Sequence, residues 1–106
     1  MIKNMNLIKI VVVQPNKQPY IKEIKNNMDS IYGLVYYPYK EIELEKNIYL
    51  VYSKEAEKEN LPICRKMKDL NIYSNFVIVK KDNGKLLSLN NTQLEKYIKL
   101  FSIESR

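Results

Sequence analysis

Histidine is absent from the 106 residues, tryptophan is absent too, and cysteine occurs once, at Cys64. Without imidazole there is no Cys-His or Ser-His pair, no His-ligated zinc and no general base of that type near neutral pH. A lone cysteine excludes an internal disulfide, which suits a reducing compartment. With two glycines in all, a Gly-rich phosphate loop has nothing to be built from. No apolar run approaches the roughly 20 residues of a bilayer crossing, and the opening Met1-Ile2-Lys3-Asn4-Met5-Asn6 lacks the hydrophobic segment of a secretory signal. The chain therefore reads as cytosolic and free of membrane. No cofactor is implied, and the expected task is binding, not a reaction. Carboxylates, lysines and tyrosines are what chemistry would have to use.

What the chain does have is positive charge, β-branched runs and tyrosine. The net charge is +6, distributed as +4 over residues 1–27, −3 over 28–60, +4 over 61–85 and +1 over 86–106. Two basic segments bracket an acidic middle, as an anionic partner would require, although a Lys-, Asn- and Ile-rich composition produces the same balance. The length fits one domain, taken as residues 1–102, with 103–106 as a C-terminal tail.

Hydrophobic patterning divides the chain into short elements. Leu7 to Val13 is a β-branched strand covered on both faces. Gln14 to Pro19, with two prolines and Asn16-Lys17, reverses the chain into an edge strand, Tyr20 to Lys25. Asn27 reads as a helix cap with Asp29 in the first turn, and Met28, Ile31, Tyr32 and Val35 form one apolar stripe that Pro38 ends. Tyr39 to Leu44 alternates, Ile42 and Leu44 one way and Glu41 and Glu43 the other, and pairs back through Glu45-Lys46-Asn47 with Ile48 to Ser53. Lys54 to Asn60 is a bridge too polar to bury, and Leu61-Pro62-Ile63-Cys64-Arg65 a fixed loop bringing Arg65 beside the Ile48 to Ser53 strand. Asn75 to Lys81 is a further covered strand, and Asn83-Gly84 suits a type I′ turn into Lys85 to Leu89. Asn90 and Gln93 make a capping box, Leu89 and Leu94 a hydrophobic staple, and Leu94, Tyr97, Ile98 and Phe101 the stripe of a last helix. The predicted class is α+β: a mostly antiparallel sheet of five or six strands with two helices packed on it.

Several of these segments resemble one family. Ile8 to Val13 followed by Gln14-Pro15-Asn16-Lys17, the helix ending Leu34-Val35, the run Asn47 to Arg65 with Leu61-Pro62-x-x-Arg65, and Leu89 to Phe101 are similar in content and spacing to the family catalogued as domain of unknown function 3846. The resemblance covers nearly the whole chain. It implies small proteins of bacteria, especially Gram-positive ones, and of their phages and plasmids, hence a mobile-element origin. The departures are local: Tyr36 and Tyr37 stand where paired glycines are usual, Cys64 where asparagine is usual before the loop arginine, and Ser74-Asn75 where Gly-Thr is usual.

Candidate binding residues fall in two groups. Arg65 with Lys66 and Lys68 could clamp a phosphate or carboxylate, or Arg65 could instead cap backbone carbonyls. Among nine tyrosines, Tyr32, Tyr49 and Tyr97 sit on core stripes, whereas Tyr36, Tyr37, Tyr39 and Tyr73 fall at element ends and could form an exposed aromatic patch. Cys64 has basic neighbours that lower a thiol pKa, against the plainer reading of a buried cysteine. Glu41, Glu43 and Glu45 could hold a cation or be the solvated face of a strand, and no metal or catalytic set is assigned. Three partners follow as expectations: a host defence protein blocked by contact, a nucleotide signal held as by a sponge, or nucleic acid on the basic segments. A second copy capping the Tyr20 to Lys25 edge is a fourth use of the surface.

Overall fold

The computed structural model describes residues 7–103. Its sheet is built from β1 (Leu7–Val13), β2 (Tyr20–Lys25), β3 (Tyr39–Glu45), β4 (Ile48–Ser53), β7 (Phe76–Asp82) and β8 (Lys85–Leu87), every pairing antiparallel, in the order β2-β1-β7-β4-β3 with β8 also on β7. A second, two-stranded sheet is the hairpin of β5 (Ile63–Met67) and β6 (Leu70–Tyr73). Two helices, α1 (Asp29–Tyr32) and α2 (Asn91–Leu100), complete an α+β fold. Among the described residues no helix is long and apolar enough to cross a membrane.

The apolar runs of β1, β4 and β7 are continuous because both faces of these strands are covered. Successive side chains point to opposite faces, so each run feeds two cores. Val11, Val13, Ile48, Leu50, Phe76 and Ile78 meet Leu94, Tyr97 and Phe101 of α2 together with Cys64 and Ile72 of the β5–β6 hairpin. Ile8, Ile10, Val12, Val51, Val77 and Val79 meet Ile24, Leu86 and, from the α1 region, Ile31 and Val35.

Turn chemistry sets the registers. Asn83 (φ 53°) and Gly84 (φ 78°) both occupy the left-handed region that a type I′ turn requires, and Lys80, Lys81 and Asp82 pair back onto Leu87, Leu86 and Lys85. The strand stops at Leu87, short of the expected Leu89. There the Ser88 hydroxyl accepts from the Lys9 N–H at 2.9 Å and the Leu89 N–H donates to the Lys9 carbonyl at 3.0 Å. Helix α2 opens on the expected box: Asn90 Oδ1 accepts from the Gln93 N–H at 2.8 Å and Gln93 Oε1 from the Asn90 N–H at 2.9 Å. Two further ties anchor it. Tyr97 donates its hydroxyl to Glu45, and Lys96 Nζ lies 3.0 Å from the same carboxylate.

Four expectations are corrected. The stripe Met28 to Val35 forms only one helical turn, with Gly33 directly after it; Asn27 does accept from the Ser30 N–H at 3.1 Å, but Tyr32 turns outward while Ile31 and Val35 stay buried. The segment taken as a loop at Leu61 to Arg65 is largely strand β5, paired with a β6 that its mixed polarity and glycine-free Lys68-Asp69 turn concealed. The polar bridge buries Ala56 completely, because the Ser53 hydroxyl accepts from the Glu55 and Ala56 N–H groups and folds the turn back. Ile103, assigned to a tail, exchanges two hydrogen bonds with the Gln18 carboxamide at 2.8 and 2.9 Å, and residues 104–106 of that tail lie outside the described residues.

The hydrogen bonds from Tyr97 and Lys96 lower the Glu45 pKa from its ordinary value. The unfolded chain therefore takes up the Glu45 proton first, so this contribution is full above the ordinary carboxylate range and is lost as pH falls through the lower folded value. Urea midpoints measured from about pH 6 to pH 3 should drop less steeply for Glu45→Gln than for the native chain.

Candidate functional site

The basic group is organised by the β5–β6 hairpin. Arg65 pairs with Ile72 across the hairpin, and its guanidinium reaches the turn between β1 and β2 and the end of α2, not the β4 strand beside which the sequence put it. Nε donates to the Phe101 carbonyl at 2.8 Å, Nη1 to the carbonyls of Cys64 at 2.7 Å and Gln14 at 3.3 Å, and Nη2 to that of Lys17 at 2.7 Å. Four of its five N–H groups are thus directed at backbone, and the planar fork clips three separate segments together. Arg65 and Lys66 line a groove of about 510 Å³ with Asn16, Ile63 and Ser102. Lys68 is at the tip of the hairpin turn, away from the groove lining.

Cys64 is buried beside them. Burial raises its thiol pKa to about 11, outweighing the opposing pull of the Arg65 charge. The carboxylate row is divided among partners: Glu41 binds Lys81 at 2.7 Å, Glu43 accepts from the Asn47 N–H at 3.3 Å, and Glu45 holds Tyr97 and Lys96.

The tyrosines form a separate cluster. The Tyr39 ring stacks on Tyr32 with centroids 5.4 Å apart and meets Tyr37 edge-on at 5.2 Å, beside the cis Tyr37–Pro38 peptide. Tyr37 is 72 % exposed, Tyr32 53 % and Tyr36 43 %, so the rings present a continuous outer surface. Beneath them the Tyr39 hydroxyl is buried and has no hydrogen-bond partner among the described residues; burial, then the neighbouring Tyr32 and Tyr37 hydroxyls, raise its pKa. A groove of about 530 Å³ runs along Tyr32, Tyr36 and Tyr37 to Ser74 and Asn75. Tyr73 is not part of it: its ring lines a different recess with Lys40, Tyr52, Lys54 and Glu57.

The sequence candidates are therefore split over several places, Arg65 and Lys66 in one groove, Tyr36, Tyr37 and Tyr39 at another, Lys68 and Tyr73 in neither. Tyr32 and Asn75 were missed as groove residues. Gly33 directly after Tyr32 was the available signal, since glycine weakens a helix and shortens the apolar stripe that would have buried the ring.

A family model matches residues 8–102, nearly the whole described chain. The chain belongs to the DUF3846 family, a domain of unknown function. No curated protein and no solved structure matches it. Within this DUF3846 fold, Tyr36, Tyr37 and Ser74-Asn75 lie along a single groove, and Cys64 lies in the other.

Two outcomes test these assignments. Arg65→Ala should cost roughly 2–3 kcal/mol in urea unfolding, with Arg65→Lys recovering little because an ammonium cannot span three segments, while Lys66→Ala stays near neutral. Native Cys64 should react with a disulfide reagent at pH 8 at least about a hundredfold more slowly than in urea, since both burial and the raised pKa withhold the thiolate.

Proposed function

We propose that this protein is a non-enzymatic binder that acts in the cytoplasm of a host cell, blocking a defence component by direct contact on behalf of a phage or other mobile element. The observation that carries the reading is the tyrosine cluster. Three rings stand mostly or substantially exposed at adjoining positions, and a clustered patch of large exposed side chains is what an interaction surface presents. Tyrosine supplies broad, rigid contact area at small entropic cost and is enriched where proteins meet.

The test is co-purification from host cells followed by mass spectrometry, native chain against a Tyr32→Ala/Tyr37→Ala variant. A specific host protein should be retained by the native chain and lost by the variant, each truncation costing about 2 kcal/mol if the rings are interface anchors. Equal retention by both, or none by either, would overturn the reading.

A second reading rests on the Arg65–Lys66 groove. None of the ion pairs among the described residues includes Arg65, so its charge is not neutralised, and the one N–H group not held by backbone, together with Lys66, is what a nucleotide phosphate would meet. Cyclic nucleotides at a hundred times their Kd would add about 2.7 kcal/mol of stability in a melting screen.

A further inference from the structure

The sheet has two edges, and they are built differently. β3 is interrupted by a bulge between Glu43 and Glu45, a device that ends regular pairing. β2 has none: Tyr20 to Lys25 keeps an unbroken register with β1, from Leu7↔Lys25 to Val12↔Tyr20, and contains no proline.

The direction of its backbone groups follows from β1. Lys9 spends its N–H on Ser88 and its carbonyl on Leu89, both on the side away from β2. Sides alternate along an antiparallel strand, so Ile8, Ile10 and Val12 bond to β2 and their partners Ile24, Lys22 and Tyr20 bond back. The N–H and carbonyl groups of Ile21 and Glu23 therefore point outward, and no bond to either occurs among the described residues. Ile21 is 48 % exposed, and beside it an apolar groove of about 320 Å³ is lined by Ile21, Leu94 and Ile98 with Asn91 and Glu95.

A second copy is a poor occupant. Two-fold pairing of β2 with itself must set residues of one face opposite each other, so the two registers that use five of its six residues put Lys22 on Lys22 or Glu23 on Glu23, and like charges opposite each other repel. Shifted registers run into Pro19, which lacks a donor, or into the turn where the Asn27 N–H already holds the Lys25 carbonyl at 2.8 Å. Glu23 faces Lys9 across the ladder, whereas Lys22 and Lys25 face Ile10 and Leu7, leaving two positive positions without a countercharge.

We propose that the β2 edge accepts an extended segment of a protein partner as an added strand, an apolar residue seated beside Ile21 against α2 and acidic residues facing Lys22 and Lys25. Main-chain bonds to Ile21 and Glu23 supply the attachment and the two lysines the selectivity, as in strand addition generally. This surface does not share a residue with the tyrosine groove, and the proposal stands or falls apart from it.

The probe is a capped ten-residue peptide of alternating valine and threonine carrying two glutamates placed to face Lys22 and Lys25, compared with the same peptide carrying lysines. Amide exchange is followed at Ile21 and Glu23. The glutamate peptide should protect these two amides and bind about tenfold tighter than the lysine peptide, and a Lys22→Glu/Lys25→Glu chain should reverse the preference. Equal binding of both peptides, protection confined to other residues, no protection at all, or concentration-dependent protection without peptide, which assigns the edge to a second copy, would each overturn the proposal.

Discussion

One constraint governs this molecule: a sheet whose central strands are apolar on both sides has two faces to cover, and the chain is short. β7 shows it most plainly, with Phe76 and Ile78 buried in one direction and Val77 and Val79 in the other. The two faces are covered by unequal means. On one, α2 and the β5–β6 hairpin lay down a thick layer containing Tyr97 and Phe101. On the other, α1 is a single turn, and much of the remaining cover comes from the segment that follows it. A cover that thin cannot enclose its own large side chains, and Tyr32, Tyr36 and Tyr37 stand out of it. The aromatic surface is in this sense a by-product of how the second core is closed, which is why it sits where α1 stops.

Arg65 solves a related problem on the thicker side. The β5–β6 hairpin shares no ladder with the main sheet, so something other than strand pairing must hold it in place. Cys64 and Ile72 bury themselves against Phe76 and its neighbours, and the guanidinium gathers carbonyls from the β1–β2 turn and the end of α2. Carbonyls at the end of a helix and in a turn are short of donors, and one planar cation carries enough of them for both. Its positive charge is left facing a groove, so a structural clip and an anion-attracting surface are here properties of one side chain.

Much of this architecture was legible in the sequence, for reasons that differ from element to element. β1, β4 and β7 announced themselves because two-sided burial makes an uninterrupted apolar run. The capping box at Asn90 and Gln93 and the Asn83-Gly84 turn were legible because each is a local bond or a local dihedral, independent of the rest of the fold. What did not show was decided by tertiary contact. β5 and β6 are half-exposed, interrupt their apolar residues with Arg65, Lys66 and Asn71, and become strands by pairing with each other over a buried Cys64 and Ile72. Tyr32 satisfied a helical stripe that no longer existed beyond Gly33. Of the candidate site, the residue types were readable and their grouping was not, since Tyr36 and Asn75 become neighbours only through the meeting of α1's exit with the start of β7.

The strand order has a consequence for how such a chain is made. β1 is followed at once by its neighbour β2, whereas its other partner, β7, is synthesised only after β3, β4 and the whole second hairpin. During that interval Ile10 to Val13 carry an open flank of uncharged β-branched residues, a composition prone to aggregation. Assembly must then close a long loop to seat β7 between β1 and β4, the step that makes non-local sheets slow to form. Over that interval the nascent polypeptide is exposed to chaperones and to misassociation, and the yield of native protein rests on β7 arriving in time.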